Sequence, residues 1–305
     1  MYEATPSPYL VPFDGSFRVA EAPTVPPKEG VLDPHDDDHR HAGKHDAVAG
    51  LEREIKKLRK LQRVLYARDR HSILCVFQAM DAAGKDGTIR AVLSGVDPAG
   101  CQVHSFKRPT EEELDHDFLW RTSKALPERG RIGIFNRSYY EEVLVVKVHP
   151  ELLAGQRIPH LPHAAEVWRG RYASIRQHEE HLARNGVVIL KFWLNVSKDE
   201  QARRFLDRLE EPEKQWKFAA GDLRERARWD DYMEAYESAL RETSRPWAPW
   251  YAIPADDKHF MRWQVARTLR KTLQGLSLAY PEPDPAEVAE YHTFRKQLRA
   301  ELELE

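Results

Sequence analysis

The stretch 76–92, VFQAMDAAGKDGTIRAV, has residue types and spacing suited to holding a phosphate group. An apolar, strand-like run leads into the turn Gly84-Lys85, and a helix-like run follows. Backbone N–H groups at the start of a helix point at an anion, and a lysine adds a mobile positive charge. The Walker pattern is broken twice, because Ala79 stands at its first glycine and Asp86 at its hydroxyl residue. The stretch predicts a phosphate site, with an ordinary turn and an exposed lysine as the alternative.

A carboxylate and a second cation are expected at the same place. Asp81 follows the first predicted strand, Asn136 ends the run RIGIFN, and Arg137 follows it. In a parallel sheet, ligands bind beyond the carboxyl ends of the strands. Asp81 is therefore a candidate to hold a magnesium ion directly or through water. Arg137 is a candidate phosphate contact, because an arginine beyond a buried strand is costly without an anion; a salt bridge is the alternative.

Two adjacent carboxylates, Glu141 and Glu142, follow Arg137 in the run IFNRSYYEEVLV. Carboxylates so close to the predicted site are candidates to hold a metal or to position an acceptor. The polar turn of a helix would have the same composition. The sequence leaves these two interpretations open.

The run 199–218, DEQARRFLDRLEEPEKQWKF, combines cations with a break in a helix. Arg204 and Arg208 are four residues apart and share one helix face, with Lys214 and Lys217 just beyond. A helix that follows a strand directly and is broken by proline is typical of a mobile lid that brings arginines over a phosphate chain. Because acidic residues are nearly as frequent, a salt-bridged surface helix is an equal alternative.

These candidate residues need a scaffold, and strand-like and helix-like runs alternate along the chain. Strands are predicted at 72–78, 102–106, 131–136, 187–195 and 250–254, and helices from 46 to about 65 and at 88–96 and 260–278. Capping boxes are predicted to start helices at Thr110 with Glu113 and at Ser197 with Glu200. The alternation implies right-handed crossovers and a parallel sheet with helices on both faces.

The two ends of the chain differ from this core. Residues 1–45 are rich in proline and polar residues and predict an extended or partly ordered arm. The stretch 35–45 holds four histidines and three aspartates; a solvated linker is favoured over a metal site. Residues 281–305 predict a C-terminal extension. The apolar seam of the helix at 48–65 needs a partner surface in the same subunit or in another.

Composition limits the classes of protein. With 305 residues, 41% of them hydrophobic and 31% charged, the chain is expected to be globular, with no apolar stretch long enough to span a bilayer and no secretory signal. A cytoplasmic location is therefore predicted. The net charge of −2 argues against nucleic acid as a partner. The two cysteines have neither metal-ligand spacing nor a catalytic signature.

Taken together, five runs resemble the polyphosphate kinase 2 family in their order: QAMDAAGKDGTIRAVLSGVDPAG, SFKRPTEEELDHDFLWR, IFNRSYYEEVLV, DEQARRFLDRLEEPEKQWKF and APWYAIPADDK. The likeness covers residues 46–280. It implies an α/β fold, a P-loop kinase-like three-layer α/β/α sandwich with a mostly parallel, doubly wound sheet and a helical lid at 199–230. It also implies Mg²⁺-dependent phosphoryl transfer from inorganic polyphosphate to nucleoside mono- and diphosphates, AMP to ADP to ATP, with reversibility left open.

The resemblance implies roles for individual residues. The catalytic residues would be Asp81, Lys85, Arg137, Glu141, Arg204 and Arg208. Asp81 and Glu141 would hold Mg²⁺. The phosphate-binding residues would be Ala82, Ala83, Gly84, Lys85, Asp86, Gly87, Thr88, Arg90, Lys214 and Lys217. The nucleotide-binding residues would be Phe106, Arg108, Pro109, Asn136 and Arg137. Such transfer needs little covalent help, so placement and charge would supply most of the rate.

One pair of residues is similar to a particular subfamily. Many members have Phe-Asp-Arg-Ser and end the motif with Asn, whereas this chain has Asn136 and Glu141. That pairing resembles class III, which accepts both nucleoside mono- and diphosphates. We expect Glu141 to help hold a metal or water beside the shorter acceptor. The implied partners are polyphosphate, adenine or guanine nucleotides, and further copies of the chain in a dimer or tetramer.

Two other functions fit the same residues. An ATP-dependent nucleoside monophosphate kinase has the same fold and type of site with a different donor. A polyphosphate- or nucleotide-binding protein without turnover is consistent with the altered Walker loop. Activity with ATP alone would select the first, and tight binding without product would select the second.

Overall fold

The computed structural model describes residues 2–28, 32–33, 36–40, 43–161 and 163–302. A two-stranded antiparallel pair near the N-terminus consists of β1 (Leu32–Asp33) and β2 (Asp36–Arg40). The main sheet consists of β3 (Ser72–Gln78), β4 (Cys101–Ser105), β5 (Ile132–Asn136), β6 (Val187–Asn195) and β7 (Trp250–Pro254). Its order is β4-β5-β3-β6-β7 and every pair is parallel. The predicted α/β class and parallel sheet are confirmed.

Eleven α-helices lie in the described residues: α1 (Lys44–Arg68), α2 (Lys85–Val92), α3 (Glu111–Leu114), α4 (Trp120–Ser123), α5 (Val145–Val148), α6 (Ala164–Arg184), α7 (Lys198–Glu210), α8 (Ala220–Ala227), α9 (Trp229–Thr243), α10 (Lys258–Gly275) and α11 (Pro285–Glu301). Helices α1, α2 and α10 pack together, and α5, α6 and α9 form a second group, so helices cover both sides of the sheet. None of these helices is long and apolar enough to cross a membrane.

Strands β3, β6 and β7 are apolar because both of their faces are covered. Every residue of β3 and β7 is buried, and Phe77, Trp193 and Trp250 are among the largest fully buried side chains. Near-continuous apolar runs are what a parallel sheet between two helical layers requires. The strands β3, β6 and β7 have the predicted bounds, β4 begins and ends one residue earlier than predicted, and β5 begins one residue later.

Helix ends differ more from the prediction. Helix α2 begins at Lys85 rather than at residue 88, because the left-handed turn at Gly84, with φ of +106°, ends the loop there. It ends at Val92 rather than at residue 96. Helix α10 begins two residues early because the Asp257 carboxylate accepts hydrogen bonds from the N–H groups of its first turn, and it ends at Gly275 rather than 278.

One of the two predicted capping boxes is present. The Thr110 hydroxyl accepts from the Glu113 N–H, and the Glu113 carboxylate accepts from the Thr110 N–H. At α7 the Ser197 hydroxyl accepts from the Glu200 N–H, but the Glu200 carboxylate does not return to Ser197. It accepts instead from Arg203 and Arg204, so the second capping box was wrong.

The predicted arm and seam both pack on the core of the same chain. The N–H of Val11 donates to the carbonyl of Trp250, and that of Ala252 donates to Tyr9, so part of the arm runs along β7. Leu58 and Leu65 of the seam are buried where α1 packs on α10. The His/Asp-rich stretch 35–45 lies partly outside the described residues.

Candidate active site

The phosphate loop, residues 79–87, lies at the carboxyl end of β3 and leads into α2. Two of its residues have left-handed backbone angles, Ala82 with φ of +60° and Gly84 with φ of +106°. A side chain at Gly84 would be strained by that angle and would come within 3.2 Å of the Met261 methyl group. The loop therefore has the close-turning backbone that the sequence predicts for anion binding.

Lys85 lies over this loop. Its Nζ donates to the carbonyl oxygens of Ala79, at 2.7 Å, and Met80, at 3.4 Å. Burial lowers the pKa of Lys85 to about 8, and the nearby Arg137 adds to the decrease, while three carboxylates oppose it. The ammonium is therefore charged at neutral pH and is half-buried at the wall of a cleft.

Arg137 joins the two predicted metal ligands. Its guanidinium donates to Asp81 Oδ1 at 2.9 Å and lies 3.9 Å from Glu141 Oε2. These carboxylates, Glu141 first, raise the pKa of Arg137. The salt-bridge alternative is thus realised, yet 41% of the Arg137 side chain stays exposed and can contact a phosphate as well.

Glu141 and Glu142 point to different surroundings. Burial raises the pKa of Glu141, while Arg137 and Lys85 pull it down. Glu142 is buried elsewhere, and its carboxylate accepts from Arg171 at 2.7 Å. Of these two carboxylates, only Glu141 belongs to the group around Arg137.

The carboxylates of Asp81 and Glu141 are hard oxygen donors beside the same arginine. No cluster of three or more His, Cys, Asp or Glu suited to a metal occurs among the described residues. Mg²⁺ is commonly held by one or two carboxylates together with substrate phosphates and water. The donor set therefore fits Mg²⁺ that arrives with a phosphate substrate.

A cleft of about 870 Å³ opens in front of the loop. Eleven of its lining side chains are Lys or Arg and three are Asp: Lys85, Arg90, Lys107, Arg108, Arg137, Arg204, Arg208, Lys214, Lys217, Lys258 and Arg262, with Asp81, Asp86 and Asp207. The chain as a whole has a net charge of −2, so this cationic cleft is a local concentration of charge. Such a surface attracts a polyanion.

Most of the predicted site residues line this cationic cleft. Four do not. Ala83 and Thr88 are buried beneath the loop. Pro109 lines a separate cavity of about 520 Å³. Glu141 lines a smaller cavity of about 220 Å³, which Asp81 and Arg137 also line. The Asp81–Arg137 pair therefore stands between the cationic cleft and this smaller cavity.

Arg204 requires a correction. The sequence left open whether it lies on a mobile lid over the phosphate chain or on a salt-bridged surface helix, but its side chain is only 5% exposed. Its three nitrogens donate to five oxygens, of Glu200, Ala82, Ala83, Ala255 and Asp256. A guanidinium has five N–H groups, so these contacts use its full donor capacity. Together with Gln201, which donates to the Asp81 carbonyl, Arg204 fastens α7 to the phosphate loop.

Two other cations of the predicted lid are paired as well, but they stay partly exposed. Arg208 lies 3.4 Å from Asp222, and Lys214 lies 2.6 Å from Glu211. Both are partly exposed and line the cationic cleft. The surface-salt-bridge alternative is thus correct for their contacts, while their position still allows them to meet an anion.

Three cations of the cationic cleft and one contact were not predicted from the sequence. Lys258 and Arg262 lie four residues apart on α10, and Lys107 precedes Arg108. Cations spaced by four directly after a strand were the available signal for the pair on α10. Asp86, which stands where the Walker pattern has its hydroxyl residue, accepts from the Asn136 amide at 2.5 Å. Asn136 therefore holds Asp86 at the edge of the loop.

Comparisons with known proteins agree with this geometry. A family model described as Polyphosphate kinase 2 (PPK2) matches residues 41–279. An ADP-polyphosphate phosphotransferase of Rhodopseudomonas palustris is 56% identical over 81% of this chain and 86% of that protein. An AMP/ADP-polyphosphate phosphotransferase of Meiothermus ruber is 49% identical over 91% of this chain and 96% of that protein.

A solved structure is similar over nearly the whole chain. The crystal structure of Polyphosphate Kinase 2 from Arthrobacter aurescens has a TM-score of 0.78 and 38% sequence identity, and the match covers 96% of this chain and 99% of that one. Sequence and structural similarity thus agree with the five ordered runs. The chain belongs to the polyphosphate kinase 2 family.

Proposed function

We propose that this protein transfers phosphoryl groups from inorganic polyphosphate to nucleoside mono- and diphosphates, making ADP from AMP and ATP from ADP. The observation that carries the proposal is the cationic cleft that ends at Lys85 and Arg137. Its cations come from the phosphate loop, the β4 end, the lid and α10, a longer track than one transferred phosphate needs. A long chain of phosphates uses such a track.

We infer that the two substrates lie on the two sides of Arg137, which lines both the cationic cleft and the smaller cavity. Polyphosphate lies in the cationic cleft with its terminal phosphate at the loop N–H groups and Lys85. The acceptor phosphate enters the smaller cavity, where Arg137 can contact both substrates. An oxygen of the acceptor phosphate bonds to the terminal phosphorus of polyphosphate, and the bond from that phosphorus to its bridging oxygen breaks. The shortened chain keeps the bridging oxygen.

Positive charges placed around the transferred phosphoryl group then account for most of the rate enhancement. Lys85 and Arg137 stabilise the negative charge on the transferred group, and the loop N–H groups fix its position. Asp81 and Glu141 are the residues that would hold Mg²⁺, which when bound neutralises phosphate oxygens. Arg204 keeps the loop aligned with α7 rather than touching the substrates.

The acceptor range is a separate part of the proposal. The relative that is 56% identical is named for ADP alone, and the one that is 49% identical is named for AMP and ADP. The presence of Asn136 together with Glu141 in the motif favours the use of both AMP and ADP as acceptors by this chain. Replacing Glu141→Asn should lower AMP turnover more than ADP turnover; equal retention of both activities would remove Glu141 from acceptor selection.

A product assay tests the proposal. Purified protein, Mg²⁺ and AMP or ADP are combined with long-chain polyphosphate or with ATP as the only donor, and the products are separated by chromatography. Product with polyphosphate supports the proposal. Product with ATP alone selects the nucleoside monophosphate kinase, and tight binding without product selects a binding protein. Replacing Mg²⁺ by other divalent ions in the same assay tests the metal.

Other expectations from the sequence stay predictions. These are use of guanine nucleotides, a cytoplasmic location, absence of nucleic acid as a partner, and assembly into dimers or tetramers. The division into an arm, a core at 46–280 and a C-terminal extension is also a prediction.

A further inference from the structure

The smaller cavity beside Arg137 has a second wall, which comes from residues remote in sequence from the phosphate loop. Asp81 and Glu141 line the cavity together with Arg137, and Glu225 of α8 and Tyr232 of α9 also line it. A carboxylate repels a phosphate, so Glu225 does not suit the phosphate of an acceptor. It requires a different group of the same ligand.

The Glu225 carboxylate is held through one of its two oxygens. Its Oε2 accepts a hydrogen bond from the Tyr232 hydroxyl at 2.6 Å and lies 2.8 Å from His149 Nε2. Within the part of the chain that the structure describes, its Oε1 has no hydrogen-bond partner. A carboxylate oxygen accepts hydrogen bonds without donating any. Glu225 therefore offers a fixed and open acceptor at the wall of the smaller cavity.

Glu225 does not complete the site that Asp81 and Glu141 would offer to Mg²⁺. Among the described residues, no group of three or more His, Cys, Asp or Glu is placed to hold a metal ion, although these three carboxylates line one cavity. The group that suits the open oxygen of Glu225 is consequently an O–H or N–H donor of the ligand.

The size of the smaller cavity limits which donor this is. Its volume is about 220 Å³, below the roughly 300–1,000 Å³ of pockets that enclose a whole drug-sized ligand. The cavity therefore holds part of a nucleotide. When the acceptor phosphate lies at Arg137, the part bonded directly to it is the ribose, which carries two hydroxyl groups.

We propose that Glu225 binds a ribose hydroxyl of the acceptor nucleotide, and that Tyr232 and His149 are positioning residues that hold its carboxylate. This inference rests on the proposed function, because it places the acceptor in the smaller cavity. The base then lies outside this cavity, and the enzyme selects the sugar of the acceptor more strongly than its base.

The expected selectivity follows from the charge of the acceptor atom. A hydrogen bond to a charged group is stronger than one between neutral groups, and a site built for a hydroxyl rejects an analogue that lacks it. Removing the hydroxyl that Glu225 binds should therefore lower kcat/KM by about 10- to 100-fold. Removing the other hydroxyl should have a smaller effect.

The experiment compares AMP, 2′-deoxy-AMP, 3′-deoxy-AMP and IMP as acceptors, with polyphosphate as the donor and Mg²⁺ present. Wild-type kcat/KM should be lowest for one of the two deoxy analogues, while IMP, which changes only the base, should resemble AMP. Glu225→Met should lower kcat/KM for AMP to about the value of that analogue, with little further loss for the analogue itself. Tyr232→Phe should show the same pattern with a smaller loss.

The matched control is Glu151→Gln, which changes the carboxylate on the other ring nitrogen of His149. Glu151 lies 3.3 Å from His149 Nδ1, is largely exposed and lines neither the cationic cleft nor the smaller cavity, so this variant should select acceptors like the wild type. Thermal unfolding shows that each variant keeps its fold.

Three results would overturn the inference. These are equal use of AMP and both deoxy analogues by the wild type, an equal loss for every acceptor in Glu225→Met, and rejection of IMP in place of a deoxy analogue. Calorimetric titration of the same acceptors without polyphosphate repeats the comparison in the absence of turnover. Absence of product from polyphosphate would contradict the proposed function, while the binding data would still decide the role of Glu225.

Discussion

Lys85 begins the helix that follows the central strand β3, Lys191 lies in the neighbouring strand β6, and burial lowers the pKa of each to about 8. Their surroundings differ. Lys191 is fully buried in β6, and its Nζ donates to Glu179 at 2.6 Å and to Tyr140 and Thr243 at 2.8 Å each. Lys85 donates to two carbonyls of its own loop and lies at the wall of the cationic cleft.

The network around Lys191 is closed. An ammonium has three N–H groups, and all three of Lys191 have acceptors. The Glu179 carboxylate in turn accepts from Tyr139 and Tyr140 as well as from Lys191. A perturbed pKa in such a network reports burial and pairing inside the core. Lys85 has the same pKa but stands where an anion can reach it.

The same contrast separates two arginines. Arg204 donates to five oxygens of the chain, whereas Arg137 keeps much of its side chain exposed between the cationic cleft and the smaller cavity. Charge alone therefore does not identify the residues that meet the substrate. Residues that meet the substrate are better identified by N–H groups that face a cleft and are not all used by acceptors within the chain.

The largest expected effect is on Lys85. Replacing Lys85→Met should lower kcat/KM for polyphosphate by about 10²- to 10³-fold, because the charge that stabilises the transferred group is lost. The free energy of unfolding, measured with denaturant, should change little since Lys85 is not part of the core network. Retained activity would remove Lys85 from the site.

Lys191 should behave in the opposite way. Replacing Lys191→Met leaves Glu179 buried without its cation, which should lower the free energy of unfolding by about 3–5 kcal/mol. The folded fraction should keep a nearly unchanged kcat. Adding Glu179→Gln removes the stranded charge and should restore part of the stability, as denaturant midpoints would reveal. Full stability in the single variant would refute the closed network.

A conservative change at Arg204 distinguishes two roles for this residue, alignment of the phosphate loop and supply of positive charge. Replacing Arg204→Lys keeps the positive charge but supplies three donors instead of a planar fork of five. If Arg204 aligns the loop, kcat/KM should fall about 10- to 100-fold, because small displacements of the reacting groups are costly. The matched change Arg208→Lys should have a smaller effect. A nearly active Arg204→Lys enzyme would point to charge alone.

The smallest effect is a pH dependence. Lys85 loses its proton as pH rises through about 8, so kcat/KM for polyphosphate should fall above pH 8. A bound polyanion favours the charged lysine, so the same decrease in kcat should lie at higher pH. Lys85→Arg stays charged, and its profile should lack this decrease. A wild-type profile that is flat to pH 10 would contradict the assignment.

The sequence predicted the positions of the strands and the edge of the sheet where the site lies. Apolar runs in β3, β6 and β7 mark buried strands whatever their neighbours are, so their bounds matched. The Gly84-Lys85 turn was also predicted correctly, because the left-handed backbone angle that favours glycine there is a local property of the chain.

Side-chain partners across the fold were not predictable. Arg204 meets carbonyls more than fifty residues away on two different segments, and no local pattern encodes those contacts. The Asn136–Asp86 bond likewise joins the end of β5 to the first turn of α2, which are adjacent only after β5 pairs with β3. The sequence showed which cations lie close together along the chain. Whether each cation is paired with an acceptor of the chain or faces the cleft depends on the tertiary structure.

The most direct test of the central claim is kcat/KM with polyphosphates of defined length, from tripolyphosphate to long chains, at constant AMP and Mg²⁺. If the cationic cleft holds an extended polyanion, KM should fall steadily as the chain grows while kcat changes little, because the added phosphates bind cations far from Lys85. A KM that is independent of chain length would contradict the account.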